Sequence, residues 1–241
     1  MTGDRTQPNF GAPVWWEFEG TTEELFDVMR EALPDNGVIQ VNHGRTPGMF
    51  TFAGWDPDGD EADYPSFYAD DFDAMELLQF KNYDTMDMLL LDWCSHLDLG
   101  YRKTATGVSD EHAIRPGAGY ARSYVWVGTD DPAEVDLDTF MESVAGGRLV
   151  VSGGPFIVFT ATDEHGNAVD MGGEIAAGAV TLHIEVWAPT WMEVSEVRLR
   201  GGGCGIAATW DAAQLAGDEV QRFVTDLEWV VDEDGYLFVE A

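Results

Sequence analysis

The sequence predicts an α/β unit with parallel strands, followed by an antiparallel β-rich module. Three observations carry that expectation. Between residues 74 and 108 a strand, a helix and a strand follow one another, as they do in parallel α/β sheets and barrels. From residue 149 onward the apolar runs are short, several alternate in polarity, and Gly or Asp turns bound them. Side chains that bind metals well stand just past two of the strand candidates, at the ends where α/β sheets gather their sites. The pattern changes near Ser152-Gly153-Gly154-Pro155, which divides the chain into units at 1–152 and 153–241.

Each element has a local reason. Residues 22–33 read as a helix: Thr21 or Thr22 caps it, acids fill the first turn, and Leu25, Phe26, Val28 and Met29 form a stripe. Pro34-Asp35-Asn36-Gly37 ends it. Val38-Ile39-Gln40-Val41 is a short apolar strand that leads straight to Asn42-His43-Gly44-Arg45. Residues 46–72 read as a long loop with aromatic anchors at Phe50, Phe52, Trp55, Tyr64, Phe67 and Tyr68. Residues 74–80 are the next strand. Residues 84–99 are a helix, with Met86, Leu89, Leu90, Trp93 and Leu97 at helical spacing and Gly100 as the stop. Residues 104–108 form a strand that opens onto Ser109-Asp110-Glu111-His112. Strand 122–127 and helix 137–144 follow, and then the β-rich runs 149–151, 156–159, 180–186, 193–200, 223–231 and 236–239.

Charge narrows the classes of function. Forty-five acidic residues face twelve basic ones, a formal net charge of -33. Such a surface repels nucleic acid and anionic membranes at long range, so neither is expected as a partner. The acids are scattered along the chain, which suits solubility in a saline setting where salt screens self-repulsion. The densest group, Asp56-Pro57-Asp58-Gly59-Asp60-Glu61, lacks the closing Glu of a calcium loop and reads as a solvated turn. No apolar run approaches membrane-spanning length, and residues 1–5 lack the basic-then-apolar pattern of a secretion signal. The sequence assigns no compartment. Cys94 and Cys204 lack metal-ligand spacing; Cys94 reads as a small buried side chain, and a structural disulfide stays open.

The candidates for chemistry are few. Asp110 and His112, two apart on an extended segment, point the same way and suit a divalent cation; the bland alternative is a capping Asp beside a surface His. His43 taken alone reads as a hydrogen-bonded structural histidine. Glu76 reads either as a carboxylate that orients a ligand from behind or as the polar alternate of a half-exposed strand. Arg45 and Arg122 have forked donors suited to an anionic substrate group, although ion pairing in so acidic a chain is the commoner use. His96, His165 and His183 read as structural or surface residues.

Taken together and in order, these segments resemble the polymerase-and-histidinol-phosphatase (PHP) superfamily of metal-dependent hydrolases, nearest its CehA/McbA-like branch. Asn42-His43-Gly44-Arg45 is similar to that branch's Asn-His-Pro-Arg segment, with Gly44 in place of Pro. Ala74-Met75-Glu76 with Asn82 is similar to its Ala-Ile-Glu strand and nearby Asn. Gly107-Val108-Ser109-Asp110-Glu111-His112 is similar to its Gly-Asn-Ser-Asp-Ser-His segment, departing at Val108 and Glu111. Arg122-Ser123-Tyr124-Val125, Gly147-Arg148 and Gly154-Pro155 continue the likeness from about residue 20 to the end.

The resemblance implies the carboxyl-terminal part of a distorted (β/α)7 barrel followed by a β-sandwich-like module. It also implies two or three divalent cations (zinc, manganese or iron) and hydrolysis of a phosphoester or of an amide, ester or carbamate. It makes His43 a ligand beside Asp110 and His112. The superfamily's opening His-x-His pair has no counterpart here, since the first histidine is His43. The site is therefore expected to need ligands from elsewhere. An open half-barrel would expose strand edges, which points to self-association, a completing partner or rearrangement near the N-terminus. The competing expectation is a non-catalytic scaffold whose β-rich part binds a partner or polysaccharide through Trp15, Trp16, Trp187 or Trp191.

Overall fold

The structure is a computed structural model that describes residues 20–45, 48–59, 61–79, 85–111, 117–215 and 219–241. His112, Asn82, Trp15 and Trp16 lie outside the described residues. The chain is a mixed α/β fold of several sheets and few helices, and the described residues form no closed barrel. No described helix is long and apolar enough to cross a membrane.

Helix α1 (Thr22–Ala32) starts with a capping box: the Thr21 hydroxyl accepts from the Glu24 N–H, and the Glu24 carboxylate accepts from the Thr21 N–H. It lays Leu25, Phe26 and Met29 against the first apolar core. Strand β1 (Gln40–Val41) pairs in parallel with β4 (Ala74–Gln79), and β4 pairs in parallel with β5 (Thr104–Val108). Helix α3 (Met86–Asp98) makes the crossover from β4 to β5.

The described residues between 48 and 72 are more ordered than the long, aromatic-anchored loop that the sequence suggests. They hold a short helix, α2 (Met49–Ala53), a two-residue hairpin of β2 (Trp55–Asp56) with β3 (Glu61–Ala62), and a turn of 3-10 helix at Pro65–Phe67. The aromatic anchors explain the order. Trp55 stacks on Tyr68 at 4.6 Å between centroids, and Trp55, Phe72 and Phe50 surround the His96 ring at 5.0, 5.4 and 5.6 Å. His96 is fully buried, with Nδ1 2.6 Å from the Asp92 carbonyl and Nε2 2.9 Å from the Tyr68 hydroxyl. A rigid aromatic cluster thus takes the place of backbone pairing.

β6 (Arg122–Val125) and β7 (Leu149–Ser152) form an antiparallel hairpin around helix α4 (Leu137–Ala145). The hairpin docks on β5 at Gly107, whose N–H donates to the Ser123 hydroxyl while that hydroxyl donates to the Gly107 carbonyl. A Cβ on Gly107 would stand 2.7 Å from the Arg122 carbonyl oxygen, so only glycine permits this approach.

The remaining strands build two antiparallel sheets. β8 (Phe156–Asp163), β9 (Ala168–Asp170), β10 (Gly178–Trp187) and β13 (Gln221–Val231) are ordered β13-β10-β8-β9. β11 (Glu196–Gly201), β12 (Gly205–Asp211) and β14 (Phe238–Glu240) are ordered β12-β11-β14. Val180, Leu182, Ile184 and Val186 of β10 alternate inward and meet Val197, Leu199 and Phe223 in a second core. Each such burial contributes roughly 1.5–3 kcal/mol.

The two cores are not separated by position in the chain. Cys204, Tyr236 and Phe238 pack with the first. Cys204 is disulfide-bonded to Cys94 of α3, with Cα atoms 5.5 Å apart, and Trp93 meets Phe238 edge-on. The cysteine that the sequence suggests as a plain buried side chain is thus a cross-link between the halves.

Candidate functional site

Because β1, β4 and β5 run in the same direction, their carboxyl ends open on one edge of the sheet. Two residues past β1 comes His43, and two residues past β5 comes Asp110. Both take the left-handed conformation, with φ of 56° and 46°. Non-glycine residues hold that backbone at a cost of order 1–3 kcal/mol, and they cluster where geometry serves function. The strain lies at the exits of the two strands that flank β4.

Glu76 stands between them on β4 and is 1 % exposed, so the half-exposed alternative does not hold. Its Oε2 accepts from the His43 N–H at 3.3 Å and lies 3.2 Å from His43 Nδ1. Burial raises the Glu76 pKa above the usual carboxylate range, against the opposing pull of His43; the Asp110 charge adds to the rise. Across the ring, His43 Nε2 faces Asp110 Oδ1 at 3.7 Å.

One side chain that sequence reasoning missed completes the cluster. Gln79 is 8 % exposed, and its Nε2 donates to Asp110 Oδ2 at 3.0 Å and stands 3.2 Å from His43 Nδ1. A second polar residue, after Glu76, at the end of a mostly apolar strand was the signal for it. In the regular alternation of a strand, Gln79 would face away from Glu76.

The Glu76 contact favours one proton arrangement on the ring. A carboxylate only accepts, so in a neutral imidazole that donates to Glu76 the proton sits on Nδ1, and the Gln79 nitrogen 3.2 Å away is then a packing neighbour of Nδ1 and not its hydrogen-bond donor. The Nε2 lone pair then faces a second acceptor, Asp110 Oδ1. Two lone pairs aimed at each other across 3.7 Å suit a shared cation, with Glu76 orienting the ring from behind. Donor type therefore fits a divalent cation. A full ligand shell is another matter: among the described residues no three His, Cys, Asp or Glu side chains are placed to hold one ion.

The two arginines have separate positions. Arg45 Nε donates to Asp92 Oδ2 at 2.8 Å, its Nη2 donates to Asp92 Oδ1, and Nη2 also donates to the Trp55 carbonyl at 3.0 Å. Asp92 is fully buried; burial raises its pKa and Arg45 opposes the rise. The Arg45 fork thus forms an internal ion pair with Asp92. Arg122 lies with its guanidinium carbon 5.6 Å from the centre of the Tyr124 ring, and its buried Nε has no hydrogen-bond partner among the described residues.

Comparison with protein-family models, with curated proteins and with solved structures found no match.

Proposed function

We propose that the strand exits carrying His43, Glu76 and Asp110 form a divalent-cation site, and that the chain is a metal-dependent hydrolase of the type its sequence resembles. The observation that carries this reading is the facing pair of acceptors, His43 Nε2 and Asp110 Oδ1 at 3.7 Å, backed by a buried carboxylate. His43 and Asp110 would hold the ion, and Glu76 would hold the ring. His112, outside the described residues, is the further ligand that the sequence reading supplies. The β1-β4-β5 sheet is then part of a distorted PHP-type barrel whose other ligands come from elsewhere, in the same chain or in a partner.

A bound cation of this kind lowers the pKa of its water and stabilises negative charge on the group attacked. The chain's own residues orient the donors and shield them on the sheet side. Phosphoester and amide, ester or carbamate substrates both remain within the proposal.

The test is zinc or manganese titration of the full chain, followed by hydrolysis of p-nitrophenyl phosphate, bis-p-nitrophenyl phosphate, p-nitrophenyl acetate and an aryl carbamate. Stoichiometric uptake that disappears in His43→Ala and Asp110→Ala, with turnover of one substrate that follows the metal, is the expected result. A folded chain that takes up no metal removes the reading. It would favour the second one, a non-catalytic scaffold with a binding module, for which the observation is Trp191 at 80 % exposure near the partly exposed Trp187.

A further inference from the structure

The pairing of β4 with β5 contains an irregularity next to the site. Glu76 pairs with Thr106 and Leu78 pairs with Gly107, so Leu77 is one residue in excess. On β5, Thr106 and Val108 share a face and Gly107 takes the other. Their partners follow: Glu76 and Gln79 share a face, and Leu78 takes the other. Without the bulge, three residues of separation would put Gln79 on the face opposite Glu76. Bulges recur beside functional sites because they re-aim a side chain in this way.

The redirected amide is buried and its orientation is fixed. Asp110 has only acceptors, so the nitrogen of Gln79 must face it. The bond to Oδ2 at 3.0 Å accompanies an Oδ1 that lies 3.7 Å from His43 Nε2, and the Gln79 nitrogen packs 3.2 Å from His43 Nδ1.

We propose that Gln79 is a positioning residue, brought to the site by the bulge at Leu77, which occupies one oxygen of Asp110 and presents the other beside His43. Its effect on metal affinity rests on the reading above; the clamp itself does not. Supporting groups of this kind typically change metal affinity about 10- to 100-fold when removed.

Two measurements on the full chain test it. In the metal-free ¹⁵N-labelled protein, the Gln79 side-chain amide signals are identified by their loss in Gln79→Met. Asp110→Ala is then expected to move those signals and speed their exchange; unchanged signals overturn the clamp. In the second, zinc alone is titrated into wild type, Gln79→Met and His43→Ala, each checked for unchanged far-ultraviolet dichroism. The expected result is zinc affinity about 10- to 100-fold weaker in Gln79→Met and absent in His43→Ala. Equal affinity in wild type and Gln79→Met, with His43→Ala inactive, overturns the positioning role and leaves the metal reading standing. If wild type itself takes up no zinc, the metal reading fails and the amide signals alone decide the clamp.

Discussion

Strands β4 and β10 both lie inside their sheets, and they handle polar residues in opposite ways. All six residues of β4 are buried, Glu76 and Gln79 among them. β10 alternates: Val180, Leu182, Ile184 and Val186 face the core, while Thr181, His183 and Glu185 face the more accessible side. β10 is organised for packing alone, because each polar group keeps access to water. Burying a carboxylate and an amide in β4 costs stability unless they are fully paired, a cost that apolar side chains at those positions would not carry. The difference marks β4 as the strand whose sequence answers to something besides packing.

The largest effect is expected where the two regions are joined. The Cys94–Cys204 bond spans 110 residues and ties α3 of the first core to the turn between β11 and β12. In the chain-entropy account, closing a loop of that size stabilises by about 4.7 kcal/mol. The double variant Cys94→Ala/Cys204→Ala is expected to lose most of that in urea unfolding, with the single transition broadening or splitting as the halves uncouple. A loss below about 1 kcal/mol would show that apolar contacts, not the cross-link, join the two.

Next in size is the internal ion pair. Removing one partner of a buried pair costs about 3–5 kcal/mol, because the other charge is left without compensation. Arg45→Met should behave so, and the double variant Arg45→Met/Asp92→Leu should recover much of the loss. The sign with pH follows from Asp92, whose folded pKa is raised by burial. An acid raised on folding favours the native state most at low pH, and that contribution falls as pH rises from the unfolded value through the folded one. The Arg45→Met defect should therefore shrink in acid. Equal defects at acid and neutral pH, or no recovery in the double variant, would assign the role of Arg45 to something other than holding Asp92.

What the sequence made legible follows the same division. β10 is readable because a half-buried strand writes its environment with period two, and α3 because Leu89 and Leu90 recur with Trp93 at helical spacing. His43 and Asp110 were legible as candidate donors just past strand ends, and Glu76 as a polar residue inside a strand. Gln79 was not, since a one-residue bulge reverses the parity that any alternation argument relies on. The pairing of Arg45 with Asp92, 47 residues away, and of Cys94 with Cys204 depends on tertiary packing, which leaves no local trace. The order in the described residues between 48 and 72 arises from aromatic contacts with His96, and aromatic spacing alone does not reveal that they share a partner.

A smaller effect sharpens the contrast at the site. Asp110 holds φ of 46°, a conformation that costs a side chain of order 1 kcal/mol relative to glycine. Asp110→Gly is therefore expected to be more stable than Asp110→Ala by about 1 kcal/mol in denaturant unfolding, and both should lose zinc uptake. Equal stability of the two variants would show that the backbone there relaxes, and the strain shared with His43 would lose its meaning.

The smallest effect belongs to the sandwich and is set by pH. His183 Nδ1 lies 2.7 Å from Asp226 and its Nε2 lies 3.0 Å from Glu185, which also accepts from the Trp187 indole N–H at 2.7 Å. These partners raise the His183 pKa above its ordinary value. A base raised on folding contributes stability that is fully present below the unfolded value near 6.5 and is lost as pH rises through the higher folded value. Side chains this accessible contribute below about 1 kcal/mol, because water screens the pair. Wild type should thus lose stability between pH 6 and 8.5 slightly faster than His183→Gln, measured by urea midpoints. Parallel curves would mean that the outer face of β10 is held by its ladder alone. Its polar groups would then differ from those of β4 in consequence as well as in exposure.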